Sequence, residues 1–416
     1  MGKSRRIVNF ADRNKRISLP TMKKMNALLM AALFCCSPLF ADDWMQRLPD
    51  SVYVAILSIP GAHDAATGSG WEEGMEDLGD AFARTQDLDI ATQWSMGVRA
   101  FDLRPCVYED YMNLNHGIVP TSVHFEDALQ LLCDSLTAHP SEFVVIHMLH
   151  ETDGDMVQDA YNKRIVELLG RDDFKDFFVP FKKDLTVGDM RGKILLLSRD
   201  QYASVPVGGF FQNWTGSADW AKQTQARIVG PQGASSVLYV QDYSDTHNSG
   251  GLTTKVNALS KLLTFSMAHK TKRVGSIIWV FNFASAYSKV ESIFGYEVSS
   301  SDGYRENATY THAAILDILR EKPAGPTGIV LMDYVGVDRS GDYEVKGKEV
   351  LEAIIENNFR YLGDAAGLES PMAEEKSNIK KEVKCFSVDG KCLPSDAHGL
   401  RLVKGSDGKV KKVLHP

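Results

Sequence analysis

From Val52 to about Gly363 the chain alternates short, nearly unbroken apolar runs with amphipathic stretches, and this alternation constrains the fold more than any other feature. The apolar runs are Val54–Ile59, Val98–Leu103, Phe143–Leu149, Lys193–Ser198, Val237–Gln241, Ile277–Asn282 and Gly328–Asp333. Runs of this length, polar only at their ends, read as strands covered on both faces. The stretches between them predict helices over Leu88–Met96, Phe125–Ala138, Asp155–Leu169, Thr254–His269 and Thr309–Arg320. Repeated β–α alternation gives a parallel sheet, and this many units favour closure into a barrel. In such a barrel the C-terminal ends of the strands face the active site. His63, Asp102, Arg104, Glu151, Arg199, Asp242 and Asp333 all fall at or just past those ends.

Composition narrows what such a barrel can do. With 416 residues, 44% of them hydrophobic, the chain can bury a full core. A formal net charge of −8 excludes a general attraction for nucleic acid, and aromatics are not interleaved with basic clusters. An acidic chain acting on an anionic substrate must hold it with a few well-placed cations.

The N-terminal 1–41 reads as a signal region, its start falling at Met22 or Met25. Lys23 and Lys24 form the basic part, Ala27 to Phe34 the apolar part, and Leu39-Phe40-Ala41 a cleavage site. That predicts a secreted, periplasmic or cell-surface protein. A bacterial lipoprotein acylated at Cys35 or Cys36 is the second reading. A catalytic barrel is expected over 42–365, a charged linker over 366–384, and a small β-rich appendage over 385–416. Export permits disulfides. Cys385 and Cys392 flank a turn suited to a staple, whereas Cys106 and Cys133 either pair or remain buried thiols. No Cys/His spacing reads as a zinc site.

The chemistry concentrates in three segments: Ile56 to Asp64, Gly97 to Arg104, and Asn113 to Gly117. Each is a short strand ending in reactive side chains. His63 follows the stiff Pro60-Gly61 turn, with Asp64 beside it, and His116 precedes a glycine. Two histidines so placed suit the base and acid of a two-stage phosphodiester cleavage in which an internal hydroxyl is the nucleophile. Arg104 offers the fork of donors that a phosphoryl oxygen needs.

These segments, with Arg84-Thr85-Gln86, Gln93, His139-Pro140-Ser141-Glu142, Arg191 to Arg199, Gln241-Asp242-Tyr243, Phe281 to Ser285 and Met332-Asp333-Tyr334, occur in one order over residues 45–365. In that order the chain resembles the bacterial phosphatidylinositol-specific phospholipase C family, of the X-domain type. The resemblance implies a distorted (β/α)8 TIM barrel and a phosphatidylinositol diacylglycerol-lyase. It implies His63 as general base oriented by Asp333, Arg104 on the phosphate, and His116 coupled to Asp64 as general acid. Asp102 would steady the group around His116 and Arg104, while Arg199 and Asp242 would grip the inositol hydroxyls. Products would be diacylglycerol and a 1,2-cyclic inositol phosphate. Calcium-dependent relatives carry an acidic residue where Arg104 stands, so the resemblance implies calcium independence and no cofactor.

Two positions depart from the family pattern. The inositol-binding lysine is replaced by Leu149-His150-Glu151, where His150 is the substitute on offer. The aromatic expected under the inositol ring falls on Ser244, with Tyr243 one residue off. Phosphatidylinositol and glycosylated inositol lipids therefore both stand as expected substrates. Membrane contact is expected through two aromatic loops, one at Trp71 and one over Gly208 to Trp214, and the protein is expected to be a monomer. Two other readings compete. A metal-dependent glycerophosphodiester phosphodiesterase would need Glu-x-Asp where Asp102-x-Arg104 stands. A catalytically inactive surface-binding barrel would need its histidines dispensable.

Overall fold

The computed structural model divides into two units, Met1–Phe40 and Ala41–Pro416. It describes residues 41–220, 226–247, 251–270, 274–293 and 296–362, and four strands beyond them. All but the last residue of the export region, and all but the last of the expected linker, lie outside the described residues.

The centre is a closed barrel of nine strands. In chain order these are Ser58–Ala62, Ala100–Leu103, Val144–Met148, Ile194–Ser198, Gly209–Gln212, Arg227–Val229, Ser235–Gln241, Ile278–Phe283 and Gly328–Met332. Neighbours pair in parallel, except that Arg227–Val229 runs antiparallel to both of its neighbours. The ring closes where Ser58–Ala62 meets Gly328–Met332. The inserted antiparallel strand is the distortion of an otherwise regular eightfold barrel. Every residue of the strands Ser58–Ala62, Ala100–Leu103, Val144–Met148, Ile194–Ser198 and Gly328–Met332 is buried, which is why they read as continuous apolar runs.

Two strands escape the sequence reading. Gly209–Gln212 and Arg227–Val229 are only four and three residues long. Phe210 and Phe211 are buried barrel residues rather than a membrane loop. Val54–Ile56 is a buried 3-10 turn ahead of the first strand rather than part of it. The helix over Phe125–Ala138 matches its expected limits, whereas Ser301–Glu321 starts well before the expected Thr309.

His116 lies outside the barrel wall. It ends the middle strand of a three-stranded antiparallel sheet, Pro105–Val107, Met112–His116 and Val119–His124, inserted after the second barrel strand. Cys106 and Cys133 are both buried and free. A four-stranded antiparallel sheet built from Lys384–Phe386, Cys392–Leu393, Gly399–Lys404 and Val410–His415 follows in sequence. The side chains of Cys385 and Cys392 lie outside the described residues.

At the N-terminal end of the barrel strands, Arg99 and Glu142 form a fully buried ion pair of 3.0 Å. Arg99 also donates to the carbonyls of Trp94 and Val98, and its guanidinium lies over the Trp94 ring. Glu142 accepts from the backbone of Met45. Removing one member leaves a buried charge unpaired. Arg99→Ala should therefore lower the unfolding free energy by about 3–5 kcal/mol in urea titrations; a loss below about 1 kcal/mol would contradict this role.

Candidate active site

Seven of the strand-end residues meet at the C-terminal mouth. An open cavity of about 400 Å³ is lined by His63, Asp64, Arg104, His116, Arg199 and Asp242, together with Leu149, Gly216, Ser244, Ser285, Ala286, Tyr287 and Tyr304. Asp102 and Asp333 sit just beneath, almost fully buried.

His63 is fixed from both sides. Its Nδ1 hydrogen-bonds Asp333 Oδ1 at 2.8 Å, and its Nε2 lies 2.9 Å from Arg104 Nη2. A guanidinium has donors and no acceptor, so Nε2 must be the acceptor. The ring proton then sits on Nδ1 and donates to Asp333, which leaves Nε2 as a base. Burial, followed by the Arg104 charge, holds the His63 pKa well below the ordinary value. Gln86 locks the backbone here, donating to the carbonyls of His63 and Met332.

Arg104 touches three acids of the site. Its Nε lies 2.6 Å from Asp64 Oδ1, Nη2 donates to Asp102 Oδ2 at 3.1 Å, and Nη1 is 3.6 Å from Glu151. Burial pushes Asp64 up to about 8 against the pull of Arg104. Burial would raise Asp102 as well, but Arg104 and His147 outweigh it and hold that carboxyl well below the usual range. His147 Nδ1 bonds Asp102 Oδ1 at 2.7 Å. Asp102 therefore steadies Arg104 and the Asp64 backbone, and its partners do not include His116. His63, Asp64 and Asp102 also form, among the described residues, the one group of donors close enough for a metal ion, within 4.8 Å. The cation already lodged against them is the Arg104 guanidinium.

His116 stands across Asp64 from His63. Its Nε2 is 3.7 Å from Asp64 Oδ2, and the Nε2 of His63 is 3.4 Å from the same oxygen. On the far wall Arg199 pairs with Asp242 at 3.4 Å and lies over the Trp214 ring, whose Nε1 donates to Asp242 Oδ2.

Two expected binding residues are placed elsewhere. His150 stacks on Tyr161 with ring centroids 3.5 Å apart and bonds Asp155 Oδ2 at 2.6 Å, so its ring does not line the cavity. Tyr243 is buried, and its carbonyl accepts from Lys255 Nζ. The cavity's aromatic faces are instead Tyr287 and Tyr304. The expected membrane aromatics are also used internally. Trp71 is buried against Gly79 and donates to Asp80, and Trp214 packs among His147, Phe211, Phe281 and Phe283.

A parallel barrel with two partnered histidines and a buried arginine at its mouth has the parts that acid–base chemistry on an anionic group requires. No family model matches the chain. Among curated proteins it is 25% identical over 329 residues to the 1-phosphatidylinositol phosphodiesterase of Staphylococcus aureus strain Newman, covering 76% of this chain and 94% of that one. It is 31% identical over 167 residues to the Listeria monocytogenes protein of that name, covering 38% and 49%. Among solved structures, a variant of the S. aureus phosphatidylinositol-specific phospholipase C superposes with a TM-score of 0.59 at 23% identity, over 76% of this chain and 96% of that one. The chain is thus similar in sequence and in fold to bacterial phosphatidylinositol-specific phospholipases C.

The low proton affinity of His63 has a direct consequence. A base at His63 would have to be unprotonated to act, so on the acid side activity would fall as pH drops through the pKa of His63. The acidic limb of kcat/KM should therefore lie below pH 6.5, the unperturbed histidine value. A limb at or above 6.5 would contradict the assignment.

Proposed function

We propose that this protein is a phosphatidylinositol-specific phospholipase C that cleaves its substrate by intramolecular attack. Its curated relatives are named for that phosphodiester. The observation that carries the reading is the asymmetry of the two histidines about Arg104. One imidazole lines the cavity with its Nε2 lone pair on Arg104 and its Nδ1 proton on a buried carboxylate. The other stands beside Asp64 on the opposite side.

His63 Nε2 takes the proton of the inositol 2-hydroxyl, and Asp333 stabilises the imidazolium that forms. The freed oxygen attacks the phosphorus. Charge building on the phosphoryl oxygen is met by the guanidinium of Arg104, already aligned by Asp64, Asp102 and Glu151. His116 gives its proton to the diacylglycerol oxygen as that bond breaks. Diacylglycerol and a 1,2-cyclic inositol phosphate result. The paired Arg199 and Asp242 suit the vicinal hydroxyls of an inositol ring. Since Arg104 occupies the position of a cation, we infer that the reaction needs no calcium.

The site must reach a bilayer. Exposed apolar side chains on loops that follow barrel strands, Ile118 beside Gly117 and the adjacent Met156 and Val157, are the groups we assign to that contact. An exported protein would meet the substrate from outside the cell.

On phosphatidylinositol vesicles containing chelator, phosphorus NMR should show a cyclic inositol phosphate as the first product. His63→Ala and His116→Ala should each lower kcat about 10²–10⁴-fold, and Arg104→Lys about 10²–10³-fold because a point charge cannot bridge the same groups. Turnover only after calcium is added would overturn the assignment of Arg104. An acyclic phosphate as first product would overturn intramolecular attack.

A further inference from the structure

Tyr304 is a buried side chain of the cavity that the mechanism above leaves unused. It comes from the first turn of the helix Ser301–Glu321, nearly two hundred residues from the histidine it touches. Its hydroxyl lies 3.2 Å from His116 Nε2 and 2.9 Å from Ser299 Oγ. Ser299 Oγ in turn lies 3.4 Å from the carbonyl of Phe82, and His116 Nδ1 lies 2.7 Å from the carbonyl of Ala83. Those two carbonyls close the short helix Glu76–Phe82, where carbonyls have no partner within the helix.

The ends of this chain fix the direction of every bond in it. A carbonyl only accepts, so Ser299 spends its hydrogen on Phe82 and must accept from Tyr304. Tyr304 has then used its hydrogen, and its oxygen must accept from His116 Nε2. His116 also donates from Nδ1 to Ala83. Four bonds need four hydrogens; the two hydroxyls supply one each, so the imidazole carries both of its own.

We propose that Tyr304 and Ser299 are positioning residues that hold His116 in its doubly protonated, acid form through a directed chain between two backbone carbonyls. The inference rests on His116 being the general acid, and it supplies what that role requires, a proton on Nε2 facing the cavity. In the complex the leaving oxygen replaces Tyr304 as the acceptor of that proton. The proton passes to it as the phosphorus–oxygen bond breaks, and the imidazole is left neutral.

Other groups act on the same ring. Burial, followed by the Arg104 charge, holds its pKa below the ordinary value against the Ala83 carbonyl, Glu151 and Asp102, which favour the charged form. His63 stands across the site, and Asp64 at 3.7 Å is the competing place for the acid proton. An acceptor on Nε2 opposes that lowering and favours the imidazolium.

The test is nitrogen and carbon NMR titration of His116 in the full chain, assigned by difference against His116→Gln, with pH–rate profiles on phosphatidylinositol vesicles. Tyr304→Phe removes the acceptor. Ser299→Ala frees the tyrosine hydrogen to turn toward the imidazole. Each should lower the His116 pKa by about one unit. The alkaline limb of kcat/KM, which reports the free enzyme, should move to lower pH by the same amount. An unchanged pKa in Ser299→Ala, or an unchanged or raised pKa in Tyr304→Phe, would overturn the proposal, since a bond running the other way stabilises the neutral ring. The titration needs no turnover, so a protein inactive on phosphatidylinositol would reject the proposed reaction while the pKa shifts still decide the tyrosine.

Discussion

The interaction on which the site depends is the guanidinium of Arg104 among three carboxylates. Asp64, Asp102 and Glu151 lie together at the mouth of the barrel, and Asp64 and Asp102 are almost wholly removed from water. Without a cation between them they could not all remain ionised. Arg104 supplies that cation and, because it can only donate, also decides the state of His63. One residue thus holds the Asp102 carboxyl low, opposes the rise that burial imposes on Asp64 and Glu151, and favours the neutral form of His63. Its cost is the desolvation of a buried guanidinium, offset here by partners on several sides.

The barrel and its mouth were legible because buried parallel strands are written as unbroken apolar runs, and chemistry sits where each run ends. His63, Asp64, Asp102, Arg104, Asp333, Arg199 and Asp242 were all found this way, and they do converge. What failed was finer. Gly209–Gln212 and Arg227–Val229 are too short to carry a period, and the Phe-Phe-Gln-Asn-Trp stretch read as a membrane loop because aromatics look alike whether they face lipid or a barrel core. His150 follows a strand end, but its ring turns back to stack on Tyr161, a rotation that spacing does not encode. Tyr304 and Lys255 reach the site from helices distant in sequence, and nothing local marks them.

The segments that carry the family resemblance divide by physical task. His63-Asp64, Asp102-Leu103-Arg104, His116 and Asp333 present side chains at or just beneath the cavity. Arg99 and Glu142 close the opposite end of the barrel as a buried pair, and Arg191 ties the N-terminal segment down through the carbonyls of Met45 and Leu48. Gln86 and Gln241 are buried amides that hold strand ends in register, the latter through Asn282, Tyr243 and Lys255. Burial lowers the Lys255 pKa to about 7. Motif positions therefore serve both stability and chemistry, and only the geometry separates the two.

The central claim is that Arg104 sets the protonation of the site, and the His63 pKa in an Arg104→Met variant tests it most directly. The wild-type imidazole is held neutral partly by the adjacent positive charge. In folded Arg104→Met, judged by a dispersed amide spectrum, NMR titration should show the His63 pKa raised above its wild-type value. An unchanged or lower value would contradict the account.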